Sequence, residues 1–316
     1  MKRSRIALLG LAAAGIGAAV ADRRQLAAWR AAVDPDGPDS LRFPEGEDLT
    51  ITTSDGASLA VTVVGSGPTV VLAHGWTNSR AVWAPVARRL IRTGFRVVAY
   101  DQRGHGASGL GREPFSVARL GFDLRDILVD LDVHDAVLAG HSMGGMTIMS
   151  LIGDDPVAIK EHARAVVLVS TAAGGLGRNP RVDATVARLI GSRGVARLMA
   201  GPLGPRFTRG VVGAKPVYAH LDVMRAMWVA TPGQVTSDAF VSMAAMDLRP
   251  GLAACPVPAI VAVGSRDQLT RQGLGKVIAE AIPGAELVVM NGAGHMLPIE
   301  EPDRVAELIT RSSATP

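Results

Sequence analysis

AVLAGHSMGGM, residues 136–146, decides the fold. Its first five residues are small and apolar, as in a strand buried on both faces, and MTIMSLIG from Met146 has the pattern of a buried helix. Between them Gly140-His141-Ser142-Met143-Gly144 fits G-x-S-x-G, in the strand-to-helix context where that pattern marks a nucleophile elbow. A serine held in a strained turn needs neighbours without Cβ atoms, which Gly140, Gly144 and Gly145 supply. Such a turn aims the Ser142 hydroxyl away from the sheet. The following helix then begins with backbone N–H groups free to stabilise an anion.

On either side of this stretch, apolar runs of the same kind recur at 69–73 (TVVLA), 95–100 (FRVVAY), 165–170 (AVVLVS), 259–264 (AIVAVG) and 286–290 (ELVVM). Helical patterns separate them at 81–94, 116–131 and 146–153, and another closes the chain at 302–311. Strands alternating with helices specify an α/β fold, a mainly parallel sheet with helices on both faces. Ahead of it, LTITTSDGASLAVTVV reads as two strands joined through Asp55-Gly56, a hairpin signal. From about 171 to 252 no strand is apparent; 182–201 and 220–230 have helical spacing, which predicts a helical insertion above the sheet. There is no internal repeat.

A hydroxyl nucleophile needs a base, and the base needs an orienting carboxylate. His295 lies in NGAGHMLPIEEP after the last apolar run, and Asp267 in VGSRDQLT directly after the run before it, both at the edge to which a parallel sheet delivers reactive groups. The chain order Ser142, Asp267, His295 is the order such a sheet-borne triad takes. The developing oxyanion needs two donors. The elbow offers the N–H of Met143, and LAHGWTNS places the N–H of Trp76 in a turn just beyond a neighbouring strand. His74 is read as a residue that holds this loop, and the Trp76 indole as pocket lining.

HGW, DQRGHGAS, GHSMGG, the Asp267 loop and GAGHMLPIEEP together resemble the α/β-hydrolase superfamily, within its serine esterase, lipase and non-haem peroxidase-like branches. The resemblance runs from about 49 to 311. It implies an eight-stranded sheet, a helical cap between the sixth and seventh strands, and a triad needing no cofactor. By matching position Ser142 is the nucleophile, His295 the base, Asp267 the orienting acid, and Trp76 and Met143 the oxyanion donors. Thr270 departs from the pattern, standing where a proline is common. A serine in the elbow argues against epoxide hydrolases and dehalogenases, whose nucleophile is an aspartate. The expected activity is hydrolysis of carboxylic esters of apolar acyl groups, with a small-molecule ester or lipid as substrate. Peroxidase-like perhydrolysis and a catalytically silent, membrane-tethered scaffold are the alternatives.

Lys2, Arg3 and Arg5 precede the uncharged apolar run 6–21, which ends at Asp22, Arg23 and Arg24. Sixteen residues span about 24 Å as a helix, short of a ~30 Å hydrocarbon core, and Ala19-Val20-Ala21 has the small-residue spacing of a signal-peptidase site. Residues 1–24 are therefore read as a signal peptide or a membrane anchor, with export or membrane association through residues 6–21; without a targeting role the chain would be cytoplasmic. A short helix and linker (25–48) lead to the hydrolase domain (49–316), whose insertion is 171–252.

The net charge of +4 lies entirely in residues 1–24, so residues 25–316 sum to zero, and no nucleic-acid partner is expected. The single cysteine, Cys255, excludes an internal disulfide and any multi-cysteine metal site. It reads as a small apolar residue, and Arg103 and His105 as members of a satisfied loop network. His134 and His141 have no acidic partner at metal-ligand spacing, and no metal is expected. The methionines of the insertion read as ordinary core. The oligomeric state is not encoded legibly.

Overall fold

A computed structural model describes residues 23–37, 39–177 and 179–314. Helix α1 (Arg23–Ala31) leads into β1 (Glu47–Thr52) and β2 (Ser58–Val64), an antiparallel pair that turns at Asp55-Gly56, where Gly56 has φ +88°. Then come β3 (Thr69–Ala73), a 3-10 turn at Arg80–Trp83, α2 (Ala84–Arg92), β4 (Arg96–Tyr100), α3 (Val117–Asp130) and β5 (Ala136–His141). The chain continues through α4 (Met143–Asp154), α5 (Pro156–His162) and β6 (Ala163–Val169). Five helices without a strand among the described residues separate β6 from the next strand: α6 (Pro180–Ile190), α7 (Arg193–Ala200), α8 (Gly204–Thr208), α9 (Tyr218–Ala230) and α10 (Gly233–Ala245). The fold closes with β7 (Ala259–Gly264), α11 (Gln272–Ala281), β8 (Glu286–Met290), α12 (Leu297–Glu300) and α13 (Pro302–Ala314).

The eight strands form one sheet in the order β1-β2-β4-β3-β5-β6-β7-β8, antiparallel at β1/β2 and β2/β4 and parallel elsewhere. This is the mainly parallel α/β sheet expected from the alternating pattern. The central strands read as unbroken apolar runs because both faces are covered. In β3, Val71 and Ala73 pack with Leu120 and Leu124 of α3 and Met146 of α4, while Val70 and Leu72 pack with Val86 and Leu90 of α2 and Val305 and Ile309 of α13. Strand order reverses at β3, with β4 on one side and β5 on the other. At such a switch point the loops leaving the carboxyl ends diverge and open a crevice. The loop at 74–79 and the Ser142 turn leave from those two ends.

Among the described residues no helix is long and apolar enough to cross a membrane. The expectation for residues 6–21 lies outside the described residues.

Candidate active site

The turn at Ser142 is dictated by its glycines. Ser142 has φ 53° and ψ −115°, a conformation costing a non-glycine residue about 1–3 kcal/mol, and α4 starts at the next residue. A Cβ on Gly140 would lie 2.4 Å from the Gly144 carbonyl oxygen, and one on Gly144 2.1 Å from that of Ala73. The elbow can close on itself and on the end of β3 only with glycine at both positions. Backbone and side chain then fix it: the Ser142 N–H donates to the Val169 carbonyl (2.9 Å) and the Thr171 hydroxyl donates to the Ser142 carbonyl (2.7 Å).

Asp267 and His295, brought together from the ends of β7 and β8, meet at 2.8 Å between Oδ2 and Nδ1. The carboxylate also accepts the Thr270 hydroxyl (2.7 Å) and N–H (2.9 Å) and the Leu269 N–H (2.8 Å). Burial alone would raise the Asp267 carboxyl, but the facing imidazole and the Thr270 donors bring it down to about 2. An ionised carboxylate only accepts, so Nδ1 of His295 carries the proton and Nε2 is left as the basic nitrogen. Thr270, the residue that departs from the family pattern, thus becomes a support of the Asp267 carboxylate.

His295 is tied to the elbow through the residue before the serine. The His141 and His295 rings lie 5.0 Å apart, and His141 Nε2–H donates to the His295 carbonyl (2.9 Å). Burial, then the His295 ring, pushes His141 down to about 3, so it stays a neutral donor. On its other side Gly75 lies so close that a Cβ there would meet His141 Nδ1 at 3.0 Å. The His74-Gly75-Trp76 loop and the elbow therefore converge on His141. His74 holds the loop: its Nδ1–H donates to the Gly75 carbonyl (2.7 Å) and its Nε2 accepts the Gln102 N–H (2.9 Å), with burial lowering it to about 4. The N–H groups of Trp76 and Met143 donate to no backbone or side-chain acceptor among the described residues. The Trp76 indole donates to the Thr236 carbonyl of α10 (3.1 Å) and packs against Trp228 and Phe240, which makes the wall beside the loop aromatic.

Three supports lie outside the site residues that the sequence predicts. Thr171 and Thr270 reach the site through hydroxyls, and Glu300 through its carboxylate, whose Oε2 accepts the N–H of Gly213 (2.6 Å) and Gly294 (3.0 Å) and whose Oε1 accepts that of Met296 (2.9 Å). Burial holds the Glu300 carboxyl above its ordinary range despite these donors. Arg103 is fully buried between the carboxylates of Asp55 (2.9 Å) and Asp123 (2.6 Å), and His105 donates to the Arg103 carbonyl, so both belong to the loop network. Among the described residues no three His, Cys, Asp or Glu side chains cluster as metal ligands.

A serine in a strained strand-to-helix turn, at the switch point of an eight-stranded and mostly parallel sheet, defines an α/β hydrolase. The alpha/beta hydrolase family model matches residues 70–308, and the protein belongs to that family. The chain is 28% identical to 3-oxoadipate enol-lactonase 1 of Acinetobacter baylyi, over 84% of this chain and 97% of the relative. It is 27% identical to the non-heme chloroperoxidase CPO-A1 of Kitasatospora aureofaciens, over 77% and 90%. Among solved structures, a thermophilic esterase from Thermogutta terrifontis, malate bound, superposes with a TM-score of 0.73 at 26% identity, covering 85% of this chain and all of that one.

Proposed function

We propose that the protein is a serine hydrolase that cleaves carboxylic esters of apolar acyl groups. The Asp267–His295 pair, at 2.8 Å with the imidazole in the tautomer a base requires, carries this reading. Ser142 Oγ attacks the acyl carbonyl as His295 Nε2 takes its proton. The N–H groups of Trp76 and Met143 receive the oxyanion, and Asp267 holds the imidazolium that forms. Collapse expels the alcohol with the proton from His295 and leaves the acyl group on Ser142. Water, deprotonated by His295, then attacks that ester and releases the acid. The aromatic wall of Trp76, Trp228 and Phe240 favours an apolar acyl chain, in a small-molecule ester or a lipid. Residues 6–21 direct the chain to the cell envelope as a signal or an anchor. The likeness to a chloroperoxidase supports a second outcome, in which hydrogen peroxide replaces water and the product is a peracid.

The test compares wild type and Ser142→Ala on p-nitrophenyl esters of two to sixteen carbons, with and without peroxide, together with fluorophosphonate labelling. Turnover and labelling that vanish in the variant support the reading. Equal turnover by the variant removes Ser142 from the chemistry. A folded wild type that neither turns over nor labels points to a silent scaffold.

A further inference from the structure

The body of the protein is neutral only in sum. Between 171 and 230 nine Lys and Arg stand against Asp183 and Asp222 alone, so the remainder of 25–316 is correspondingly acidic. Charge is segregated onto the cap, and within the cap it is ordered. On α6, beyond its first residue Pro180, the exposed residues Arg181, Val182, Thr185, Arg188 and Leu189 fall, at 100° per residue, within about a third of the helix circumference. On α7 the exposed Arg193, Arg197 and Leu198 share one side in the same way. Val182, Leu189 and Leu198 are 46%, 55% and 42% exposed, and each directly follows an arginine. The four arginines on these helices have no carboxylate partner among the described residues. The opposite sides are occupied: Ala187 and Gly191 lie toward α10, and Met199 is buried where Arg225 of α9 donates to the Ala200 carbonyl (3.3 Å).

The amino-terminal chain arrives at the same unit. Arg30 of α1 lies over the Tyr218 ring of α9 (5.1 Å), Arg209 lies over Trp29 (5.7 Å), and Asp34 pairs with His220 of α9 (2.6 Å). Helix α9 is thus packed against both α1 and α7, and the apolar run 6–21 ends immediately before α1.

We propose that the α6–α7 face of the cap docks on an anionic bilayer surface. Unpaired arginines meet lipid phosphates, and Val182, Leu189 and Leu198 enter the headgroup boundary, a basic and apolar pattern that suits an interfacial helix. Nucleic acid would match the arginines but leave three apolar side chains in water. The docking rests on the cap surface and is independent of the chemistry at Ser142.

The test places an environment-sensitive nitrobenzoxadiazole label on the full chain, at Leu189→Cys, Leu198→Cys or, as a distant control, Val277→Cys on α11, in a Cys255→Ala background or a Cys255→Ser one if the first does not fold. Vesicles are phosphatidylcholine alone or mixed equally with phosphatidylglycerol. Labels at 189 and 198 are expected to brighten severalfold and shift blue on the anionic vesicles only, reversibly with salt, while 277 stays unchanged. Arg188→Glu/Arg197→Glu should lower the vesicle affinity read at 189 by at least about 30-fold. A chain that floats with vesicles while 189 and 198 remain in water overturns the proposal, since residues 6–21 would then bind alone. So does an equal shift on neutral vesicles, or binding to duplex DNA without any shift on vesicles.

Discussion

The backbone N–H of His295 donates to the carbonyl of Val211 at 2.8 Å, which bonds the loop of the candidate base directly to the cap. The Ala214 N–H donates back to the Gly292 carbonyl (3.0 Å), and Glu300 accepts one N–H from each side, Gly213 and Gly294. The segment 211–214 and the loop 292–296 are therefore one hydrogen-bonded piece. Any opening of the cap that pulled on this segment would displace His295.

Glu300→Gln is expected to weaken that piece. Its Oε2 serves two donors and Oε1 a third, and an amide must turn a nitrogen toward at least one of them. A buried donor left unmatched costs about 1–3 kcal/mol. Thermal unfolding should show the lower midpoint, and ester turnover should fall through kcat; an unchanged midpoint and rate would mean that the carboxylate is dispensable.

Asp267→Asn should cost more in rate than in stability. The amide can present its NH2 to Nδ1 of His295 and favour the wrong tautomer, a change worth about 10⁴-fold in kcat in a triad of this kind. Steady-state kinetics read the loss, and circular dichroism checks that the fold persists.

Gly144→Ala and Gly273→Ala should have opposite signs. The first drives a Cβ to 2.1 Å from the Ala73 carbonyl and should abolish activity and lower stability by more than about 3 kcal/mol. The second meets nothing within 4 Å near the start of α11 and should raise stability by about 0.5 kcal/mol. Denaturant unfolding of the pair decides both.

Acid should begin to destabilise the fold near the ordinary histidine value. Burial lowers His74 to about 4 and His105 and His141 to about 3, so in the unfolded chain these rings bind protons near the ordinary value of about 6.5 while the folded ones do not. Their stability is present above that value and is lost as pH falls from it toward the folded values. Each should lose about 1 kcal/mol between pH 6.5 and 5.5. Unfolding midpoints measured against pH should slope in that window, and His105→Gln should flatten the slope by about a third.

The central sheet and the elbow were legible because their signals are local. A run of apolar residues buried on both faces, followed by Gly-x-Ser-x-Gly-Gly, states its own geometry within eleven residues. Asp267 and His295 could be named from their positions just after strands, and the structure pairs them. The contacts of Thr171 and Thr270 were illegible because a hydroxyl in a loop just beyond a strand looks the same in sequence whether it faces water, a carbonyl or a carboxylate. Helix α10 escaped notice because GQVTSDAFVSMAA follows Pro232 and is rich in Gly, Ser and Thr, so its buried Val235, Ala239, Phe240 and Met243 stripe is outweighed by its composition. The basic cap was hidden by arithmetic: a neutral total conceals opposite charges that only the fold separates in space.

His141 gives the protein a common peg. It precedes Ser142 in the chain, and its ring grips the carbonyl of His295 at 2.9 Å. Any displacement of β5 therefore carries Ser142 and His295 along through the same ring. Their alignment is thereby buffered against motions that would misalign two independently mounted groups. The molecule can flex as a whole while Ser142 and His295 keep step.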